Sequence, residues 1–214
     1  MSRDPARGLA QFFGGRVCLD FANTLDWRLT AEPQELLPDY ATFLRWSRMR
    51  GLLPAAAMNH LEALSARQPA TAEQVLREAR SLRDDMCRAA TVLVRPGEGG
   101  QHPDLDLAPF NRRLARLPAQ PRLVPLELAA DGCAARYVYD LPGRGLEELL
   151  WPILWSWSAV LSSQDIGRLG SCQGQGCGWF FVDESPNRTR LWCSSEVCGN
   201  RERARRAYAK KRAK

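Results

Sequence analysis

The sequence predicts an α+β protein in two parts: a mainly helical N-terminal domain with a small antiparallel β element, followed by a compact module organised by four cysteines. Three observations predict it. Apolar residues recur at three- and four-residue spacing through several runs between Leu37 and Leu161, the mark of helices with one buried face. Two β-rich runs, Leu123 to Leu128 and Ala134 to Leu141, flank Asp131-Gly132, which tolerates positive φ and suits a hairpin turn. Near the C-terminus, Cys172-x4-Cys177 and Cys193-x4-Cys198 form two close pairs separated by a hairpin-sized gap. The expected boundary gives domains at 1–166 and 167–214.

Taken in order, Val17, Leu19 and Phe21 alternate with Cys18 and Asp20 after Gly14-Gly15, which reads as a short half-buried strand. Tyr40, Phe43, Leu44 and Ser47 share the face of a helix that Gly51 closes. Pro54 opens a second helix, with Met58, Leu61 and Leu64 on one side. Thr71-x-x-Gln74 has the form of a capping box before a long helix. Its stripe is Val75, Ala79, Leu82, Met86, Ala89 and Leu93. A loop rich in glycine, Pro96 to Pro103, precedes a shorter helix at about 107–117. Leu146 to Leu161 then follows helical spacing, with Pro152 marking a kink or a late start. Trp151, Trp155 and Trp157 place this helix at the centre of the core.

Charge is unevenly spread. Pro186 to Lys214 holds ten Lys/Arg against two Asp/Glu, a local net of +8, which leaves the preceding chain at −2 of the total +6. The N-terminus lacks the apolar run of a secretory signal, and the most apolar segment carries Glu147, Glu148 and Pro152, so no membrane association is expected. A cytoplasmic, reducing location follows, where clustered cysteines are metal ligands more often than disulfides. Cys18, Cys87 and Cys133 lie far apart and read as packing residues. An enzyme is not expected: His60 and His102 have no nucleophile motif beside them, and no phosphate-binding glycine loop is present.

Two short Cys pairs suit a tetrahedral Zn²⁺ site, with Cys172, Cys177, Cys193 and Cys198 as ligands to one structural ion. Four thiolates leave no open position for catalysis. The glycines around Cys177 predict a knuckle, Trp179 to Val182 a strand, and Arg190 to Trp192 its returning partner. Ser194 or Ser195 caps a helix carrying Cys198, a treble-clef-like order. Arg188, Arg190 and Arg201 are placed to offset the net charge of the loaded site.

Gly176-Cys177-Gly178-Trp179-Phe180-Phe181-Val182-Asp183, Asn187-Arg188-Thr189-Arg190-Leu191-Trp192-Cys193-Ser194 and Cys198-Gly199-Asn200-Arg201 together resemble the CGNR zinc-finger family. The chain departs at Leu191, where that family often carries a second arginine. Gly15 to Asp26 resembles the ABATE domain that usually precedes such a finger. The resemblance implies a stress-induced transcription regulator of bacteria, with the four cysteines as zinc ligands.

A basic helix follows the last cysteine. Arg188, Arg190, Arg201, Arg203, Arg205, Arg206, Lys210 and Lys211 are the candidate nucleic-acid contacts, with DNA the expected partner. Asp20, Asn23, Thr24 and Arg28 form a polar cluster. It reads either as a pocket for a small-molecule effector or as a turn with internal pairing. The competing reading of the whole chain is a protein-interaction or small-ligand module whose finger is purely structural. Nothing in the sequence specifies an oligomeric state.

Overall fold

The computed structural model describes residues 8–95, 102, 104–117 and 145–212, and the backbone of 121–125 and 135–139. Asp131-Gly132, Cys133 and most of the Pro96 to Pro103 loop lie outside the described residues. In chain order the elements are α1 (Val17–Ala22), β1 (Leu25–Asp26), β2 (Gln34–Glu35), α2 (Tyr40–Arg50), α3 (Ala55–Arg67), α4 (Pro69–Leu93) and α5 (Ala108–Leu114). Then come β3 (Pro121–Pro125), β4 (Ala135–Tyr139), a 3₁₀ turn (Leu146–Leu149) and α6 (Leu150–Leu161). A second 3₁₀ turn (Gln164–Arg168), β5 (Leu169–Ser171), β6 (Phe180–Val182), a π turn (Ser195–Gly199) and α7 (Asn200–Arg212) complete the described chain. The strands form three two-stranded antiparallel sheets among the described residues: β1–β2, β3–β4 and β5–β6.

Helix boundaries follow local chemistry. Asp39 accepts from the Thr42 amide at 2.7 Å and caps α2, and Gly51 closes it at φ 68°, the left-handed region where glycine carries no Cβ penalty. α4 starts at Pro69, whose fixed φ suits a first helical position. Thr71 is therefore inside the helix and exposed, and the predicted capping box does not form. The α4 stripe is as expected: Val75, Ala79, Leu82, Met86 and Ala89 are buried. Pro152 falls in the first turn of α6, the late-start outcome. Trp151 and Trp157 are buried with Ile153, Leu154 and Val160, while Trp155 is half-buried.

The predicted strand at Val17 to Phe21 is a helix. Alternation with a half-exposed face does not hold, because Cys18, Leu19, Asp20, Phe21 and Ala22 are all buried. α1 packs against α4, α6 and β6, which covers Cys18 to Ala22 without regard to alternation. Burial pushes the Cys18 thiol up to about 12, so it behaves as a small apolar side chain. β3 and β4 pair as predicted, with Leu123 opposite Tyr137. No helix among the described residues is long and apolar enough to cross a membrane.

β6 divides two cores. Its side chains alternate in direction, as in any strand. Phe180 and Val182 join the large helical core, whereas Phe181, with Trp179 before it, packs beside the four cysteines, Phe13 and Trp192.

Candidate metal centre

Each cysteine is delivered by a short, hydrogen-bonded piece of backbone. Cys172 follows β5, and its amide donates to Trp179 O at 2.8 Å. The chain then folds into a knuckle: the Cys177 amide donates to Gly174 O at 2.9 Å, and the Gly174 amide points at Cys172 Sγ at 3.4 Å. Gly176 and Gly178 hold φ of 77° and 68°, which favours residues without a Cβ. Asp183 organises the distal turn. Its carboxylate accepts from the Ser185 hydroxyl at 2.6 Å and from the amides of Ser185 and Arg190, both at 2.9 Å. Burial alone would raise this carboxyl, but those bonds hold it below its ordinary range.

The return toward Cys193 is not the predicted strand. β6 pairs with β5, upstream of the knuckle, and Arg190 to Trp192 runs alongside with Gln173 N donating to Leu191 O at 3.0 Å. Ser194 Oγ then accepts from the Val197 amide at 3.3 Å, capping the π turn that presents Cys198.

The four Sγ atoms all lie within 4.8 Å of one another, and all four cysteines are buried. Cys193 Sγ is 3.4 Å from Cys198 Sγ and 3.8 Å from Cys177 Sγ. A tetrahedron of sulfurs at the usual Zn–S length of about 2.3 Å has edges of about 3.8 Å. Burial and mutual repulsion disfavour four thiolates in so small a space. A dication relieves this conflict by favouring thiolate at every position. Donor type, number and spacing therefore fit one zinc ion.

The CGNR residues serve this centre. Cys198 is a ligand. A Cβ on Gly199 would stand 3.2 Å from Trp192 Cδ1. Asn200 Nδ2 donates to Glu196 O at 2.8 Å, tying α7 to the π turn. Arg201 Nη2 reaches Cys198 Sγ at 3.5 Å and Gln175 O at 3.3 Å, with its guanidinium 4.5 Å above the Trp27 ring.

The candidate nucleic-acid residues divide accordingly. Arg190 is turned inward: it donates to Phe13 O at 2.8 Å, Trp192 O at 3.0 Å, Val182 O at 3.3 Å and Cys193 O at 2.6 Å, and covers the Phe181 ring. Its hydrogen bonds go to main-chain carbonyls and none of them to a cysteine sulfur. Arg205 pairs with Glu202 at 2.9 Å. Glu202 is buried and accepts from the Gln175 amide at 3.1 Å, which with Arg205 holds its carboxyl below the ordinary range. Arg203 bends back to Ser195 O at 3.2 Å and Asn200 Oδ1 at 2.5 Å. Arg188 sits exposed in the distal turn at φ 51°. Arg206, Lys210 and Lys211 are exposed on α7.

The N-terminal polar cluster is internal. Asp20 accepts from the Gly14 amide and from Arg50 Nε, both at 2.8 Å; burial pushes its carboxyl up against these bonds. Asn23 bonds both backbone groups of Phe180. Thr24 donates to Phe21 O at 2.7 Å and accepts from Arg83 at 3.0 Å. Arg28 reaches Cys87 Sγ at 3.4 Å and lies 3.8 Å over the Phe180 ring. One cavity of about 650 Å³ touches Leu82, Arg113 and Trp151, and another of about 690 Å³ touches Arg28, alone of the four, with Cys87 and Val92. Asp20, Asn23 and Thr24 line neither, so the structure does not bring the four together as one pocket. Sequence reasoning missed Trp27, Asp183 and Glu202. The signal for Glu202 was its i,i+3 spacing to Arg205.

Fold and site thus define a helical domain fused to a four-cysteine zinc finger. Residues 168–211 match the family model described as CGNR zinc finger, and residues 15–164 match that of ABATE, described as "Putative stress-induced transcription regulator". The chain belongs to the ABATE family and carries a CGNR finger at its C-terminal side. No curated protein matches it.

Proposed function

We propose that the protein is a DNA-binding transcription regulator of the cytoplasm, responsive to stress, that meets DNA through the exposed side of α7. One observation carries the reading. α7 leaves the metal centre with Arg206, Lys210, Lys211 and Arg212 exposed, while the arginines nearest the metal are spent on internal bonds. At about 1.5 Å per residue, a thirteen-residue helix is about 20 Å long, and helices of this kind fit a major groove about 12 Å wide. Arg206 and Lys210 are one turn apart and share a side. The closed thiolate set supports a structural role for zinc rather than an enzymatic one.

Mobility shifts of zinc-loaded protein on duplex DNA over a salt series test this. Combined Arg206→Ala, Lys210→Ala and Lys211→Ala is expected to reduce the log–log salt slope by as much as about 2.7, at about 0.9 for each phosphate left without its cation. No retardation of wild type at low salt would rule DNA out and favour the interaction-module reading. Preference for single-stranded RNA in competition would move the partner class.

A further inference from the structure

The finger meets the N-terminal domain through two stretches: Phe13 to Arg16, which takes Arg190 on Phe13 O at 2.8 Å, the Val182 amide on Gly14 O at 2.9 Å and Glu184 on Arg16 at 2.8 Å, and Asn23 to Thr30, which lies nearer the cysteines of the first knuckle. Asn23 Nδ2 donates to Phe180 O at 2.9 Å and the Phe180 amide donates to Asn23 Oδ1 at 2.8 Å. One amide side chain thus satisfies both main-chain groups of Phe180, on the edge of β6 where the Val182 amide donates to Gly14 O at 2.9 Å. Leu29 N donates to Gly176 O at 3.2 Å. Trp27 holds φ 53°, a conformation that a bulky residue keeps only when its surroundings enforce it.

This stretch lies against the ligands themselves. Gly176 and Gly178 flank Cys177. A Cβ on Gly176 would stand 2.7 Å from Thr30 Cγ2 and 3.0 Å from Trp27 Cε3, and one on Gly178 would stand 2.6 Å from Leu29 Cγ. The first knuckle is therefore covered by the other domain, and Cys177 cannot swing outward without displacing Trp27 and Leu29. Cys198, at the opposite side of the site, is tethered to the same place: Arg201 lies between its sulfur and the Trp27 ring. One ligand from each cysteine pair is backed by the N-terminal domain. The stretch is anchored in turn to α4, through Arg83 on Thr24 and Arg28 on Cys87.

We propose that Asn23 to Thr30 is a metal-retention clamp, by which the N-terminal domain sets how fast the finger releases its ion. Zinc leaves a closed thiolate site only when a ligand moves off, and this clamp restrains two of the four. Partners outside the ligand shell typically change metal affinity by about 10- to 100-fold. The finger's metal state thereby depends on the folded state of α4, a helix distant from it in the chain.

The test is zinc transfer from the full-length loaded chain to a colorimetric chelator, followed in time. Asn23→Ala and Trp27→Ala are expected to release zinc about tenfold faster or more. Met58→Ala, buried in α3 away from the finger, controls for general destabilisation and is expected to release at the wild-type rate despite a lower Tm. Exchange of the Phe180 amide gives a second readout, accelerated in Asn23→Ala and unchanged in Met58→Ala. Leu29→Ala, at a position 66% exposed, keeps the test alive if the other variants do not fold, with faster release than wild type expected. Wild-type rates in the clamp variants, or equal acceleration in Met58→Ala, would overturn the clamp. Because no DNA is involved, this outcome is independent of the nucleic-acid reading.

Discussion

Two polar clusters, Asp20 to Arg28 and Arg201 to Arg212, each offer candidate binding residues in the sequence and end in opposite surroundings. In the first, Asp20, Asn23, Thr24 and Asp26 are buried. The partners of Asp20, Asn23 and Thr24 include backbone groups: the Gly14 amide, both main-chain groups of Phe180 and the Phe21 carbonyl. In the second, every residue from Arg203 to Arg212 is exposed. The difference teaches that the boundary between internal and external charge runs through the middle of the finger, not between the domains. Arg190 and Arg201 belong with the buried cluster, and Arg206 onward faces solvent.

The largest effect should come from the centre that joins the two clusters. Cys198→Ser is expected to drop bound metal below about half an equivalent and to unfold the finger, since the free energy of binding structural zinc is folding free energy. Metal analysis and exchange of finger amides check it. Retention of a full equivalent would show that three thiolates suffice and that the π turn is dispensable.

Arg190→Ala comes next and places this residue on one side of the boundary. It removes a half-buried guanidinium from four carbonyls and from the face of Phe181. The expected loss is about 2–4 kcal/mol, the usual range when buried acceptors lose a charged donor. Urea denaturation measures it. In the shift assay its salt slope is expected to equal that of wild type, because Arg190 already lies between carbonyls of its own chain.

The metal centre was legible because thiolate spacing is itself the chemistry: two short pairs say tetrahedral ligand set without reference to the rest of the fold. The long helices were legible for the same reason, their period being imposed by one buried face. α1 was not. Five of its six residues are buried, Cys18 to Ala22 in succession, and carry no face to alternate, so the apparent strand pattern of Val17, Leu19 and Phe21 was incidental. The partner of β6 was hidden because Leu169-Gly170-Ser171 has little strand character, whereas Arg190-Leu191-Trp192 looks like a strand and is not paired as one. The role of Asn23 left no trace at all. It binds the main chain of Phe180, and a main-chain partner does not show in the partner's side chain.

Acid should distinguish the buried network with a smaller effect. Burial would raise the Glu35 carboxyl, but the Arg83 guanidinium, with the Leu37 amide and Arg80, holds it below its ordinary value of 4.5. The folded state therefore releases this proton more readily than the unfolded state does. The resulting stability is present above pH 4.5 and is lost as pH falls through the folded value. Asp20, shifted upward, acts in the opposite sense and offsets part of the loss. Glu35→Gln is expected to flatten the acid limb of stability measured by denaturant titration. An unchanged limb would assign acid sensitivity to other carboxylates, Asp183 first among them.

The smallest expected effect on stability defines the other side of the boundary. Arg206, Lys210 and Lys211 are exposed, and no buried acceptor depends on them. Replacing all three by alanine should change stability by less than about 0.5 kcal/mol per site, and alanine's helix propensity favours the change. Zinc content should stay at one equivalent. The same variant is the one expected to lower the salt slope of DNA binding, by as much as about 2.7. Arg190→Ala and the α7 variant thus form a crossed pair: one lowers stability and spares the salt slope, the other spares stability and lowers the slope. If the α7 variant instead lost stability, or released zinc, the outer helix would be part of the finger's own support, and its charge would belong with Arg201 rather than with a nucleic-acid surface.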